Sequence, residues 1–402
     1  MIKRETYMSR IRPFIGNDLV KVLTGIRRSG KSVMLDLIKE ELCASGVDSS
    51  QFISINFENM SNAHLCTAVA LHDEIIRRAS EIKGKVYLFF DEIQEVDAWE
   101  KCINSFRVEL DCDIYITGSN ARLLSGELAT YLAGRYVEFV VYPFSFAEFI
   151  ELYHTVYPNT DNRQCFSKYL TAGGMPYLSN LRYDETASRQ YLRDLFNSVE
   201  LKDIVKRNNI RDVDMLERII AYVTSNIGTT FSSTAISRYL KSEGRSVSPE
   251  TVLSYIKACT DAFLFYQVKR QDLQGKKILT VNEKYYVADH GIREAVFGGN
   301  MKDIVLENIV YMELLRRGYT VTVGKAGDKE IDFVCEDQGN KLYIQVAYLL
   351  ASEDTTQREF GVYDRIRDNF PKYVVTLDEF DMSRNGIKHR NIRDFLLQEE
   401  WN

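Results

Sequence analysis

One short stretch, KVLTGIRRSGKSVMLDLI at residues 21–38, constrains the fold of this chain more than any other. An apolar run leads to Gly25, the loop continues to Gly30, Lys31 and Ser32, and apolar residues then recur with helical spacing. The pattern predicts a buried strand, a tight glycine loop and a helix that begins at the loop. Because backbone N–H groups of such a loop and the helix N-terminus attract anions, the sequence predicts a phosphate-binding site here.

The loop fits the pattern GxxxxGK[ST], in which each part has a physical role. We expect Lys31 to reach the β and γ phosphates of a nucleotide, and the Ser32 hydroxyl to ligate Mg²⁺. The residues at spacer positions, Arg27 and Arg28, are expected to be solvated arginines. The predicted nucleotide-binding residues are Gly25, Ile26, Arg27, Arg28, Ser29, Gly30, Lys31 and Ser32.

A second motif, YLFFDEIQEV, ends an apolar run with Asp91 and Glu92, at a position 60 residues after Lys31. In a nucleotide hydrolase, such a strand end presents one carboxylate to the magnesium ion's water shell and the next to the attacking water. We therefore assign Asp91 to Mg²⁺ and Glu92 to water activation. No guanine-reading NKxD motif is present, so ATP is the expected nucleotide.

A third run, DIYITGSNARLL, ends in the polar residues Thr117, Ser119 and Asn120. A polar side chain at this strand end can hydrogen-bond the γ phosphate or the water. We take Ser119 as the single best candidate for this sensor role. The alternative is that all three are plain turn residues.

The first 150 residues alternate short apolar runs with helical patterns, which predicts an α/β fold with a parallel sheet. The apolar runs are nearly continuous, as in strands that are buried on both faces. The predicted strands are LVKVLTG at 19–25, FISINF at 52–57, KVYLFFDE at 85–92, DIYITGS at 113–119 and YVEFVVYP at 136–143.

After Pro143 the pattern changes to helical segments, and then to a mixture of helices and strands. Three helical segments followed by two β-rich runs joined around Gly275 are typical of a winged helix. The predicted domains are the nucleotide-binding core at 1–150, a helical lid at 151–208, a winged helix at 209–292 and a small α/β domain at 293–402.

The predicted winged helix has a modest set of basic residues for contacting DNA. Its third helix, with Ser248 as the N-cap and Pro249 in the first position, carries only Lys257 as a basic residue. The wing offers more basic residues for phosphate contacts, namely Lys269, Arg270, Lys276 and Lys277. The expected partner is DNA through the winged helix, or else another protein against which this module packs.

The order of the loop, FFDE, ITGSNA and LAGRYVEFVVYPFSFAEF resembles that of prokaryotic AAA-type ATPases of the archaeal-ATPase-like group, over essentially the whole chain. The resemblance implies ATP and Mg²⁺ as ligands, together with a helical lid, a winged helix and a C-terminal nuclease-like domain. It also implies that Arg135, in Gly134-Arg135-Tyr136, is a finger that stabilises charge on the γ phosphate across a subunit boundary. A homo-oligomer is therefore expected, and a surface or salt-bridged arginine is the alternative.

The last domain resembles the PD-(D/E)xK nuclease fold at four positions: Glu307 in VLENIVYMELL, Asp332 in EIDFV, and Gln345 with Ala347 in YIQVAYLL. A glutamine oxygen can ligate Mg²⁺, but an alanine cannot activate water as the family's lysine does. We therefore expect a degenerate domain that does not cleave DNA. The sequence does not show whether Lys325 or Lys341 reaches this site.

Composition narrows the class of protein further. No apolar run approaches the ~18 residues that span a bilayer, and the charged N-terminus has no apolar segment behind it, so we expect a cytoplasmic protein without a membrane contact. Seven scattered cysteines without a CxxC pair indicate reduced thiols. A net charge of -6 argues against wholesale coating of nucleic acid.

These observations predict an ATP-hydrolysing protein whose nucleotide cycle repositions a winged helix and a nuclease-like domain, as a DNA-associated or regulatory switch. Two other functions stay open. One is an ATP-dependent DNA nuclease, and the other is an ATP-controlled, protein-binding signalling switch that does not contact DNA.

Overall fold

The computed structural model describes residues 2–124, 132, 134–273, 275, 277–298 and 302–401. The chain divides into two compact units, one made of Met1–Tyr142 with Asp261–Phe263 and the other of Pro143–Thr260 with Leu264–Asn402. Each unit contains one β-sheet. Within the described ranges, no helix combines the length and the apolar character that crossing a membrane requires.

The sheet of the first unit consists of five described strands, all parallel, in the order β2-β3-β4-β1-β5. The predicted strands are confirmed to within three residues at their ends. Their bounds are β1 Val20–Thr24, β2 Phe52–Asn56, β3 Val86–Asp91, β4 Cys112–Thr117 and β5 Tyr136–Val140. β1 and β3 are buried along their whole length, because helices cover both faces of a parallel sheet.

Helices in the first unit connect and cover these strands. They are α1 Glu5–Ile11, α2 Lys31–Ala44, α3 Ala68–Ala79 and α4 Trp99–Glu109. α2 begins directly after Gly30 and buries an apolar stripe that includes Met34, Ile38 and Leu42. Because β4 pairs with both β1 and β3, the carboxyl ends of these three strands lie side by side at one edge of the sheet.

The second unit starts with a helical region. Its helices are α5 Phe146–Val156, α6 Asn162–Ala172, α7 Glu185–Ser198, a π-helix Val199–Lys206, α8 Val213–Ser225, α9 Ser233–Ser242 and α10 Pro249–Asp261. The predicted start of α10 is confirmed, since Pro249 is its first residue and the Thr251 backbone N–H donates to Ser248 Oγ over 3.2 Å.

The second sheet is mixed, with seven described strands in the order β12-β11-β10-β9-β8-β6-β7. Its strands are β6 Phe265–Asp272, β7 Lys277–Val287, β8 Thr320–Ala326, β9 Lys329–Asp337, β10 Asn340–Val346, β11 Lys372–Thr376 and β12 Lys388–Asn391. The helices that accompany it are α11 His290–Phe297, α12 Lys302–Arg316, α13 Glu353–Gly361 and α14 Ile392–Leu397.

The hairpin of β6 and β7 was predicted as the wing of a winged helix. Its two strands pair antiparallel, and β6 also pairs parallel with β8, so the hairpin shares one sheet with the strands of the predicted nuclease-like domain. β12 is a short and polar edge strand that pairs with β11, and its sequence lacks the apolar run that indicates a strand. The predicted division of this unit into lid, winged helix and nuclease-like domain stays a prediction.

The Gly-Gly turn in TAGGMPYL is a tightly packed point of the second unit. The Gly174 N–H donates to Asp289 Oδ2 over 2.7 Å, and Gly173 has a φ of +79°. A Cβ on Gly174 would overlap the carbonyl oxygen of Phe144. Glycine is therefore required at this turn by both conformation and space.

Candidate functional site

The glycine loop between β1 and α2 has the backbone conformation of a phosphate cradle. Its residues Gly25, Arg28 and Gly30 have positive φ angles of 133°, 66° and 101°. A Cβ on Gly25 would overlap the carbonyl oxygen of Val141, so the loop lies directly against the chain that follows β5. Only a residue without a side chain allows this close approach together with that φ angle.

The side chains of the loop match a nucleotide in their chemistry. Lys31 is only 4% exposed, and its Nζ donates to the carbonyl oxygens of Gly25 (3.1 Å) and Ile26 (3.2 Å). The buried Ser29 Oγ has no hydrogen-bond partner within the described part of the chain, whereas Ser32 is exposed. A buried lysine beside an exposed hydroxyl at a helix start fits a triphosphate with a bound Mg²⁺.

A buried arginine near the N-terminus holds the loop in place. Arg4 donates from Nη1 to the Ser29 carbonyl oxygen (2.9 Å) and from Nη2 to that of Tyr142 (2.8 Å). Its guanidinium carbon also lies 4.5 Å from the centroid of the Tyr7 ring. This role could not be predicted from the sequence, because Arg4 belongs to a charged segment without a motif.

The two acidic residues at the end of β3 lie beside the loop. Both oxygens of the buried Asp91 carboxylate accept hydrogen bonds, Oδ1 from Thr117 Oγ1 (2.6 Å) and Oδ2 from Asn56 Nδ2 (2.8 Å). Glu92 has a φ of 56°, and its Oε1 lies 3.9 Å from Lys31 Nζ. The structure thus brings together the predicted residues Lys31, Asp91 and Glu92.

Thr117, at the end of β4, links the two acidic residues. Its hydroxyl donates to Asp91 and accepts the backbone N–H of Glu92 over 2.9 Å. The predicted sensor, Ser119, is fully buried in the next turn, and its sensor role stays a prediction. Thr117 was in the predicted set of strand-end residues, but Asn56 was missed, since only its position at the end of β2 could have indicated it.

The arginines of the site have different surroundings. The expectation of a solvated arginine is wrong for Arg27, because its Nη1 lies 2.7 Å from Glu58 Oε1 and its side chain is 12% exposed. Arg28 is exposed, as expected. Arg135 is also exposed, and its Nη1 donates to Asn104 Oδ1 over 3.3 Å. Its predicted role as a finger stays a prediction.

Comparison with known proteins shows which family this chain belongs to. Residues 17–150 match the model of an AAA domain, and residues 163–303 match a domain of unknown function, DUF8612. An uncharacterized protein of Haemophilus influenzae is 38% identical over 404 residues, which cover 99% of each chain. The chain belongs to the family of that protein. The N-terminal part of this chain is a P-loop AAA ATPase domain.

Two further matches extend this result. An uncharacterized protein of Methanocaldococcus jannaschii is 29% identical over 388 residues, which cover 93% of this chain and 85% of that one. The solved structure of a Walker-type ATPase of Pyrococcus abyssi has a TM-score of 0.53 at 15% identity, covering 73% of this chain and 95% of that one. The second match shows similarity of fold alone.

These matches confirm the predicted AAA-type P-loop domain and its α/β fold. They imply ATP as the nucleotide, typically with Mg²⁺. Neither family description names DNA binding or a nuclease, so both expectations rest on the sequence and stay predictions.

The predicted nuclease-like positions lie in the second unit. Asp332 on β9 and Gln345 on β10 are tied to the backbone: the Asp332 N–H donates to Gln345 Oε1 (3.2 Å), and Asp332 Oδ2 accepts the Val346 N–H (2.9 Å). Burial and the neighbouring Glu307 raise the pKa of Asp332 to about 8. Ala347 is buried just after β10.

A lysine does lie at this site, although not at the position of Ala347. Lys284 Nζ on β7 lies 3.1 Å from Glu307 Oε1 and 3.6 Å from Asp332 Oδ1. Lys325 is exposed, and Lys341 forms an ion pair with Glu336. The role of Lys284 could have been indicated only by the alternation in EKYYVAD, which puts Lys284 on the same strand face as the buried Tyr286.

The hydrogen bonds of Thr117 generate a first prediction. We expect Thr117→Val to lower the turnover of ATP by roughly 10- to 100-fold, because valine keeps the shape but loses the hydroxyl that orients Asp91 and the Glu92 backbone. ATP affinity should stay within a few-fold of the parent value. Steady-state phosphate release and equilibrium binding of a fluorescent ATP analogue measure the two effects.

Thr117→Ser is the matched control for Thr117→Val, since it keeps the hydroxyl and should retain most of the turnover. Thermal unfolding of both variants checks that the fold is intact. Turnover of Thr117→Val equal to that of the parent would contradict a positioning role for Thr117.

Proposed function

We propose that this protein binds and hydrolyses ATP at the edge of the first sheet, and that the nucleotide cycle changes the position of its C-terminal unit, as a switch acting on DNA or on a regulatory partner. The observation that carries the proposal is the convergence of Lys31, Asp91, Glu92 and Thr117 at adjacent strand ends. The AAA domain at residues 17–150 supports it.

Each residue of this site has a distinct role in the proposal. Lys31 and the loop N–H groups bind the phosphates and neutralise charge that develops on the γ phosphate. Mg²⁺, held through Ser32 and Asp91, supplies Lewis-acid polarisation of the phosphates when it is bound. Glu92 accepts a proton from the attacking water, and Thr117 keeps the carboxylates of β3 oriented.

The identity of the partner rests on the basic residues of the predicted winged helix. Lys257 and Lys269 are exposed and available for phosphate contacts, which favours DNA. Arg270 instead pairs with Glu330 over 3.2 Å, so it is less available for a phosphate contact. Lys276 and the side chain of Lys277 lie outside the described residues.

The alternative of an ATP-dependent nuclease receives less support from the described residues. The Lys284 ammonium lies 3.1 Å from Glu307 Oε1 and 3.6 Å from Asp332 Oδ1, so a cation of the chain already lies between the acids that would bind a metal ion. The proposed function therefore does not include cleavage of DNA.

The ATPase proposal predicts that Lys31→Ala abolishes ATP binding and hydrolysis, because phosphate affinity and charge neutralisation are lost together. Glu92→Gln should bind ATP but hydrolyse it roughly 100- to 1,000-fold more slowly, since the amide cannot accept the proton. Radiolabelled phosphate release and isothermal titration with ATP measure these effects.

Lys39→Ala is the matched control for the ATPase experiment. Lys39 lies on the same helix as Lys31 but forms an ion pair with Asp36, so its loss should leave turnover nearly unchanged. Normal hydrolysis by Lys31→Ala would show that the nucleotide site is wrongly assigned.

The DNA proposal predicts binding that weakens steeply with salt. Two phosphate contacts give a salt slope of roughly -2, so the affinity should fall about 20-fold when monovalent salt rises fivefold. A gel-shift titration of duplex DNA at two salt concentrations, with and without ATP, measures this dependence.

The double variant Lys257→Ala with Lys269→Ala should lose the shift at low salt. Lys341→Ala is its control, because Lys341 is engaged with Glu336. Indifference of the parent protein to DNA at low salt would favour the protein-binding switch.

A homo-oligomer through Arg135 is a further part of the proposal. Its support is the exposure of Arg135 at the start of β5, where a neighbouring subunit's phosphate could be reached. The proposal predicts complementation: Arg135→Ala and Lys31→Ala are each inactive, but a mixture regains turnover, because one subunit supplies the loop and the other the arginine.

Phosphate release by the mixture and by each variant alone measures this complementation. Arg78→Ala, which changes a half-buried arginine on α3 that pairs with Glu74, is the control and should behave as the parent protein. Full activity of Arg135→Ala on its own would exclude a finger role.

A further inference from the structure

Lys284 is a buried cation surrounded by acidic side chains from two other elements. Its side chain is 4% exposed, and its Nζ lies 3.1 Å from Glu307 Oε1, 3.0 Å from Glu330 Oε1 and 3.6 Å from Asp332 Oδ1. Glu307 belongs to α12, and the two other acids belong to β9. One ammonium group has three N–H donors, so it can serve all three carboxylates at once.

The surrounding groups complete this arrangement. Tyr286, two residues along β7, donates from its hydroxyl to Glu307 Oε1. Arg270 on β6 pairs with the second oxygen of Glu330. The hairpin thus supplies two cations and one hydroxyl, and each of them contacts an acid on β9 or α12.

A divalent metal ion is the other cation that such a set of carboxylates could bind. The positions available to it are largely taken, because Lys284 Nζ lies within 3.6 Å of each acid and Asp332 Oδ2 accepts a backbone N–H. Among the residues that the structure describes, no group of three or more His, Cys, Asp or Glu is arranged to hold a metal.

The charges also disfavour a nucleic-acid phosphate at this position. Lys284 and Arg270 contribute two positive charges, and Glu307, Glu330 and Asp332 contribute up to three negative ones. Because the acids at least balance the two cations, the cluster has no net positive charge to attract a phosphate. The acids of the cluster therefore interact with Lys284 of the same chain and not with a bound ligand.

We propose that the Lys284 ammonium takes the place of a divalent cation in this carboxylate site, and that it thereby fastens the β6–β7 hairpin to β9 and α12. The site is a metal-independent clamp. The clamp makes the β6–β7 hairpin, which was predicted as a wing, a fixed part of the seven-stranded sheet. This inference is independent of the ATPase activity proposed above.

The physical basis is the high cost of leaving buried charges without a partner. A well-paired buried cluster contributes little net stability, but removal of one partner is strongly destabilising. The three acids consequently need a cation, and only the identity of that cation distinguishes a lysine clamp from a metal site. Exchange of Lys284 for a neutral side chain should therefore convert the lysine clamp into a metal site.

The test uses the full chain without nucleotide, so that the ATP site does not bind metal. Lys284→Met keeps the length of the side chain and removes the charge. We expect its melting temperature to fall by about 10 °C and to rise again with MnCl₂. Isothermal titration should detect one Mn²⁺ per chain in Lys284→Met and none in the parent protein, whose melting temperature should not respond to MnCl₂ or EDTA.

Lys341→Met is the matched control, since it removes a lysine from an ion pair on the same sheet and should show neither a large loss nor a response to Mn²⁺. If Lys284→Met does not fold, Lys284→Met with Asp332→Asn replaces it. This double variant should fold, because it has one carboxylate fewer without a partner. It should bind Mn²⁺ more weakly than we expect for Lys284→Met, because one metal ligand is lost.

Two results would overturn the proposal. One is binding of Mn²⁺ by the parent protein that Asp332→Asn abolishes, which would make the site a metal site. The other is a folded Lys284 variant, single or double, whose stability matches that of the parent and does not respond to Mn²⁺.

Discussion

The parallel pairing of β4 between β1 and β3 is the constraint on which the candidate ATP site depends. It aligns three carboxyl ends at one edge, so the loop after β1, the acids after β3 and Thr117 at the end of β4 meet without any long connection. A different strand order would leave the same motifs intact in the sequence and too far apart to act on one phosphate. The chemistry of the site is thus a consequence of sheet topology.

Hydrogen bonds then set the orientation within that edge. Asp91 is held by Thr117 on one side and by Asn56 on the other, so its carboxylate is oriented by both neighbouring strands. Arg4 plays a similar part for the loop, because it binds the carbonyl oxygens of Ser29 and Tyr142 with one guanidinium. Such supporting contacts limit the motion of the reacting groups, and they are the ones that a motif does not include.

Both units contain a buried lysine close to acidic side chains, but its charge is compensated differently in the two. At the AAA site, the buried lysine and the acids lie beside an exposed hydroxyl and a loop suited to an anion. In the sheet of the second unit, the acids Glu307, Glu330 and Asp332 surround Lys284 at hydrogen-bonding or near distance. The first arrangement includes a loop whose backbone and exposed hydroxyl suit an anion, whereas in the second the charges are compensated by the chain itself.

The sequence by itself determined the order of elements in the first unit and the residues of the phosphate-binding loop, because these depend on local periodicity and on glycine at given positions. It also determined Asp91, Glu92 and the polar end of β4, since each follows an apolar strand directly. Only the tertiary structure decided which side chains support them, as with Arg4 and Asn56, and where the lysine of the nuclease-like site comes from. Lys284 is 23 residues from Glu307 and 48 from Asp332 in the chain. Pairing of β6 with both β7 and β8 brings them together, and no local pattern encodes that contact.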